Sequence, residues 1–193
     1  VVGINAAKMA CGLGAMVYVL DTHLERLAYL DDVMPANCFP VMSNATVLRE
    51  LVKKADVVIG AVLVAGAKAP KLLTRDMLKE MKKGAVIVDV AIDQGGCFET
   101  SKPTTHDAPT FEVDGVIHYC VANMPGAVAR TSTRALTNAT LPYALEIANK
   151  GWKKAMQDSK EIKLGANVIN GKVTYRAVAE AFDLDYTPID EFL

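Results

Sequence analysis

Residues 1–21, VVGINAAKMACGLGAMVYVLD, decide how the rest of the chain is read. Gly3 precedes an alanine-rich, helix-compatible run from Asn5 to Leu13. Gly12 and Gly14 break that run, and an apolar stretch, Met16 to Leu20, then ends in Asp21. A strand, the pattern G-x-G-x-x-G, a helix, a second strand and an acidic residue about 20 positions on make a dinucleotide-binding turn. Asp21 stands 18 residues after Gly3. If Gly3 is the third glycine of such a turn, the other two and the strand before them precede Val1. The expectation is a sheet lacking its first strand.

Working outward, short β-branched runs alternate with helical patterns. In THLERLAYLDDV (22–33), Leu24, Leu27 and Leu30 recur at helical spacing. FPVMS (39–43) reads as a strand, and Asn44 as the N-cap of ATVLRELVKKA (45–55). DVVIGAVLV (56–64) is a continuous apolar run of the kind buried on both faces in a parallel sheet. Thr74 caps RDMLKEMKKG (75–84), which Gly84 ends; AVIVDVAID (85–93) and GVIHYCVAN (115–123) supply further buried strands. Together these give an α/β fold, a doubly wound, parallel, Rossmann-type sheet truncated at its first strand.

After Pro125 the alternation stops. Residues 128–156 read as helix interrupted at Pro142, and the tail as short helices and turns, of which TYRAVAEAF (174–182) is the clearest. The expected division is a nucleotide-binding domain over 1–126 and a mainly helical segment over 127–193.

The bulk numbers exclude several classes. The 193 residues are 51% apolar and 22% charged, with a net charge of −1, so no nucleic-acid partner is advertised. No apolar stretch is long enough to span a bilayer, and no secretory leader is visible. Cys11, Cys38, Cys97 and Cys120 have no C-x-x-C spacing, so no metal site is expected and a reduced, cytoplasmic setting fits.

In an open α/β sheet, ligands bind beyond the carboxyl ends of the strands. That rule turns the strand assignment into a list of candidates. Asp21 ends its strand, where a carboxylate would accept from an adenosine ribose and repel a 2′-phosphate, favouring NAD over NADP; the alternative is a solvated turn residue. Arg26, on the next helix, could cover the adenosine or make a surface ion pair. Ser43 could meet the adenine side or help cap a helix, and Val62 and Leu63 would lie along the cofactor or in the core. VDVAIDQGG runs an apolar strand into Asp93, a polar group before a glycine pair able to approach a ligand closely. Asp89, flanked by apolar residues, is the weaker candidate, and Cys97 reads as packing. In CVANMPG, Asn123 and Met124 follow a buried strand, and an Asn amide both donates and accepts. Of the histidines, His23 reads as solvated, His106 as a loop anchor and His118 as a satisfied buried imidazole. None is a convincing base.

The segments GAVLVAGAKAPKLLTRDML (60–78), VIVDVAIDQGGCFETSKPTTHDAPTF (86–111) and HYCVANMPGAVARTSTRALTNATLPYALEIANKGW (118–152) closely resemble the bacterial L-alanine dehydrogenases. The likeness covers nearly the whole chain. It implies a Rossmann domain inserted in a substrate domain built from both ends of the polypeptide. The implied reaction converts L-alanine, NAD and water to pyruvate, ammonium and NADH, with hexamers as the usual assembly. By resemblance Asp93 is the active-site aspartate and Asp21 the ribose-binding acid. Arg26 takes the place of a basic residue of similar role. Val1, Gly3, Ser43, Val62 and Leu63 match cofactor-lining positions. Val90, Ala91, Ile92 and Asp93, with Val121, Ala122, Asn123 and Met124, match the two strand-end segments along the nicotinamide half. Lys102 stands where the family often has Arg. Ala65 and Ala129 stand where prolines are expected.

The same resemblance places the family's catalytic histidine and its substrate-binding Arg and Lys in an N-terminal half absent from this sequence. The expectation is therefore a C-terminal portion, inactive or nearly so by itself. The runner-up is the NAD-binding domain of a proton-translocating transhydrogenase, or a module that holds NAD without turnover.

Overall fold

The computed structural model describes residues 1–62 and 69–193. These fall into two compact units, one made of residues 1–62 and 69–122, the other of residues 123–193.

In the first unit, helix α1 (Val2–Gly12) leads into strand β1 (Val17–Asp21), helix α2 (Leu24–Val33) and strand β2 (Cys38–Met42). Asn44 then caps α3 (Ala45–Val52), its side chain accepting from the Val47 amide at 2.9 Å. Strand β3 (Val57–Gly60), a short helix α4 (Arg75–Lys79) capped by Thr74, and strand β4 (Val86–Asp89) follow. A hairpin of β5 (Thr110–Val113) and β6 (Val116–Tyr119) completes the unit. Its turn is Asp114–Gly115, both residues at positive φ (53° and 85°). That is the conformation a two-residue hairpin loop needs, and Asp-Gly is a favoured pair for it.

The strands form a parallel pair β1-β2 and a four-stranded sheet in the order β3-β4-β6-β5, parallel except for β5. The α/β, parallel-sheet fold expected from the sequence is thus present. Among the described residues no hydrogen bond joins β1 to β3, although α1 packs against both. A Cβ on Gly3, at the start of α1, would lie 3.8 Å from the Cβ of Ala61, just beyond β3. At the other end of α1, Asn37 Nδ2 donates to Cys11 O at 3.0 Å and to Ala15 O at 2.7 Å, ahead of β2 and β1. Helix α1 therefore runs opposite to β1 and β3, and the carboxyl ends of both strands lie on one side.

The core is built of Val52, Leu73, Met77, Leu78, Ile87, Cys97, Phe98 and Val116, between α3, α4 and the four-stranded sheet. Strand β3 differs from expectation. It is not covered on both faces, because Val57 and Ile59 are 54% and 42% exposed while Gly60 is buried. One face packs on the core, while on the other α1 reaches Ala61 and leaves Val57 and Ile59 about half exposed.

In the second unit a single helix, α5 (Ala129–Lys150), continues through Pro142. The expected interruption does not occur. A proline removes one backbone bond, and the bonds of the other turns of this 22-residue helix keep it continuous. Helices α6 (Trp152–Asp158) and α7 (Lys160–Gly165) follow, then a second two-residue hairpin, β7 (Val168–Ile169) and β8 (Lys172–Val173), and helix α8 (Arg176–Phe182). The Asn170–Gly171 turn again has both residues at positive φ.

Candidate functional site

The carboxyl ends of β1 and β2 bring Asp21 and Ser43 together, the Ser43 amide donating to Asp21 O at 2.9 Å. The Asp21 side chain is one-third exposed. Its Oδ1 accepts from the His23 amide at 3.0 Å and lies 3.1 Å from His23 Nδ1. Desolvation by itself would raise this carboxyl. The hydrogen bonds from His23 outweigh it and hold the group below the ordinary carboxylate value. Asp21 is thus a ready acceptor at neutral pH. Arg26, on α2, lays its guanidinium 4.9 Å from the centre of the Tyr29 ring.

Val1 is the exposed N-cap of α1, and among the described residues no side chain caps that helix. The first-turn amides of such a helix face outward with a partial positive charge. Gly3 sits at that start against Ala61, at an ordinary contact distance. Val62 follows, half-buried. Leu63 and Ala65 lie outside the described residues.

Strand β4 ends not at Asp93 but at Asp89, and this is the main revision to the reading of the sequence. Asp93 lies four residues further on, exposed, in a 3₁₀ turn over Ile92–Gln94. Asp89 is fully buried. Its Oδ1 accepts from the Ala91 amide (3.0 Å) and the Cys97 thiol (3.4 Å), and its Oδ2 from the Cys97 amide (2.9 Å), the Phe98 amide (3.3 Å) and the Ser101 hydroxyl. Val90 is half-buried and Ala91 and Ile92 are buried, so of the segment 90–93 only Asp93 is turned to solvent. Gly95 and Gly96 continue the turn at φ 86° and 74°. Burial and the adjacent Asp89 carboxylate push the Cys97 thiol up to about 12. It stays protonated and is no nucleophile at neutral pH.

From the other side, Lys71 Nζ donates to the carbonyls of Gly95 (2.6 Å) and Gly96 (2.8 Å). The Ala69 amide donates to Gln94 O at 3.1 Å and the Leu72 amide to Cys97 O at 2.7 Å. The sequence ranked Asp89 below Asp93 and gave no signal for Lys71. The available signal was an Asp within VIVDV, because a polar residue in an otherwise apolar strand must be buried and satisfied.

Past β6, Val121 is buried and bridges Thr104, and the Ala122 amide donates to Thr104 O at 3.0 Å. Asn123 and Met124 begin the second unit, where Asn123 takes a left-handed conformation (φ 53°) ahead of a 3₁₀ turn over Met124–Val128. Ala129 opens α5 at φ −49°. Lys102 sets its ammonium 4.4 Å from the Phe111 ring centre. His118 is fully buried: its Nδ1 is 2.9 Å from Val116 O and its Nε2 2.8 Å from Thr100 Oγ1. One nitrogen donates and the other accepts, which suits the neutral ring. Burial pulls its pKa down accordingly. Among the described residues no group of three His, Cys, Asp or Glu is arranged to hold a metal, and no helix is long and apolar enough to cross a membrane.

What this arrangement offers is an acceptor at the end of β1, an uncapped helix start beside the end of β3, and an aspartate held on a braced turn beyond β4. The family model for the alanine dehydrogenase/PNT C-terminal domain matches residues 1–176. The alanine dehydrogenase of Halomonas elongata is 65% identical over 186 residues, which is 96% of this chain and 50% of that protein. A solved L-alanine dehydrogenase superposes with a TM-score of 0.83 at 47% identity, covering 94% of this chain and 50% of that one. The transhydrogenase from Sinorhizobium meliloti gives 0.70 at 26% identity, covering 91% and 47%. The chain spans about half the length of the relatives it matches. Rim, helix start and sequence agree: the chain belongs to the alanine dehydrogenase/PNT C-terminal domain family.

Proposed function

We propose that this chain is the cofactor-binding half of an NAD-dependent alanine dehydrogenase. The complete polypeptide converts L-alanine, NAD⁺ and water to pyruvate, ammonium, NADH and a proton. NAD is the cofactor that family membership implies. The observation that carries the reading is the shared side on which β1 and β3 end, with Asp21, Ala61 and the uncapped start of α1 about it. This donor set suits a dinucleotide. Outward first-turn amides take a pyrophosphate, and an ionised carboxylate takes ribose hydroxyls while repelling a 2′-phosphate.

When bound, NAD supplies the hydride acceptor. The chain's own residues do the rest of the holding. Val1 and Gly3 receive the phosphates, while Asp21, Arg26 and Ser43 receive the adenosine. Val62, Val90 to Asp93, Lys102, Val121 and Ala122 line the nicotinamide half. Asp93 orients the amino acid and moves a proton to or from its nitrogen side. Residues 1–126 form the nucleotide domain, and residues 127–193 a linking helix and part of the substrate domain. The remaining substrate-binding groups and the base come from the portion of the relatives that this chain does not span. The assembly is a cytoplasmic hexamer; Leu136, Leu141, Tyr143, Leu145 and Ile147 of α5, all exposed, support association of this kind.

NADH formation from L-alanine tests the proposal, measured with the chain alone and with the whole polypeptide. Binding of NADH without turnover by the chain, and turnover by the whole, is the expected pair of results. Ordinary enzymatic turnover by the chain alone would refute the division of labour. No NADH binding by the whole polypeptide would refute the reading itself.

A further inference from the structure

We propose that Asp89 is a positioning residue: its carboxylate is the template on which the turn carrying Asp93 is wound, and Lys71 closes the same turn from its carbonyl side. The inference rests on the reading that Asp93 works at the reaction centre. In the turn from Val90 to Ser101, Val90 still pairs with Gly60, the amides of Gln94, Gly95, Gly96 and Ser101 bond within the turn, and Glu99 pairs with Leu73. Those of Ala91, Cys97 and Phe98 turn toward Asp89. One side chain satisfies these donors together, accepting from the amides of Ala91, Cys97 and Phe98 and the hydroxyl of Ser101. The backbone comes so close to the carboxylate that a Cβ on Gly96 would stand 2.7 Å from Asp89 Oδ2.

On the opposite side the turn presents carbonyls rather than amides, and there it meets a cation. Lys71 Nζ holds Gly95 O and Gly96 O, and the backbone of Ala69 holds Gln94 O. Asp93 lies in the arc between these anchors: Ala91 is fixed by the anion and Gly95 by the cation. The turn that carries it is therefore anchored on either side of Asp93 by two groups that act on backbone atoms. An amide cannot substitute for the carboxylate. Each oxygen of Asp89 accepts from more than one donor, so in either orientation the NH₂ of an Asn would face N–H, O–H or S–H groups.

The test uses the complete polypeptide with Asp89→Asn, Lys71→Met, Lys71→Arg and Asp93→Asn, alone and combined. Asp89→Asn is expected to lower kcat about 100-fold and Lys71→Met about 10-fold, the scale of a reacting group misplaced by an ångström. The NADH dissociation constant should move less than about 3-fold in both, as expected when ground-state binding is spared. Lys71→Arg, which keeps two donors, should restore most of the rate. Amide hydrogen exchange should quicken at Cys97 and Phe98 in Asp89→Asn while Ile87 and Val88 stay protected. On an Asp93→Asn background neither substitution should lower kcat further, because both act through that side chain.

A folded Asp89→Asn or Lys71→Met enzyme with unchanged kcat would overturn the proposal. So would losses that simply add to that of Asp93→Asn. If Asp89→Asn does not fold, Lys71→Met and its rescue by arginine decide the matter. If Asp93→Asn alone leaves kcat intact, the role given to Asp93 fails, and the exchange rates at Cys97 and Phe98 still judge the template.

Discussion

Gly60, the last residue of β3, and Cys97, on the turn beyond β4, meet so closely that a Cβ on the glycine would overlap the cysteine sulfur and stand 2.6 Å from Phe98 Cζ. Both neighbours are buried, Cys97 completely. Gly60→Ala is expected to destabilise the fold by about 1–3 kcal/mol, the range for overpacking a filled core. Combining it with Cys97→Ala should recover part of the loss. Denaturant midpoints of the single and double variants measure both effects.

The acceptor at the end of β1 makes a prediction about cofactor choice. Asp21→Asn keeps the shape but removes the charge that repels a 2′-phosphate. NADH affinity should fall about 10- to 100-fold, the loss of hydrogen bonds to a charged group, and discrimination against NADPH should narrow. Fluorescence titration of the complete polypeptide with each nucleotide checks this. Unchanged affinity for both would remove Asp21 from the ribose site.

The neutral His118 links stability to pH. Its pKa in the folded chain lies below the unfolded value near 6.5. The unfolded state therefore binds the proton more readily, so the contribution is complete above the unfolded pKa and is lost as pH falls through 6.5 toward the folded value. The unfolding temperature should drop between pH 7.5 and pH 5.5, and by less in His118→Gln. Equal pH dependence in both proteins would mean the imidazole is not responsible.

Two helix starts offer a simpler measurement. The Asn44 side chain accepts from the Val47 amide at 2.9 Å and Thr74 Oγ1 from the Met77 amide at 3.4 Å. Asn44→Ala and Thr74→Ala should each cost about 1 kcal/mol, with the shorter bond of Asn44 the more valuable. Equilibrium unfolding of the two variants gives the comparison.

The parallel strands and their helices were legible because hydrophobic runs of strand length, separated by helical spacing and good caps, leave little choice of fold. Both caps were read correctly for that reason. Strand β5 was not identified, although Asp114–Gly115 between Val113 and Val116 carried the turn chemistry; the Asn170–Gly171 turn of β7-β8 went unread in the same way. Pro142 was given too much weight, because a local breaker was judged without the length of helix on either side of it. At the site, Asp93 drew attention by its place before two glycines. Asp89 was ranked below it and Lys71 was not singled out, because their contacts are largely with backbone atoms, which residue types do not encode.

The absence of hydrogen bonds between β1 and β3 has a practical consequence for handling the isolated chain. Each strand keeps one flank of amides and carbonyls without a partner among the described strands, and on β3 the side chains of Val57 and Ile59 lie bare beside it. Such flanks are adhesive toward other molecules. Refolding yield should therefore decline as protein concentration rises, with losses to aggregates rich in intermolecular β-structure, and dilution should spare the chain.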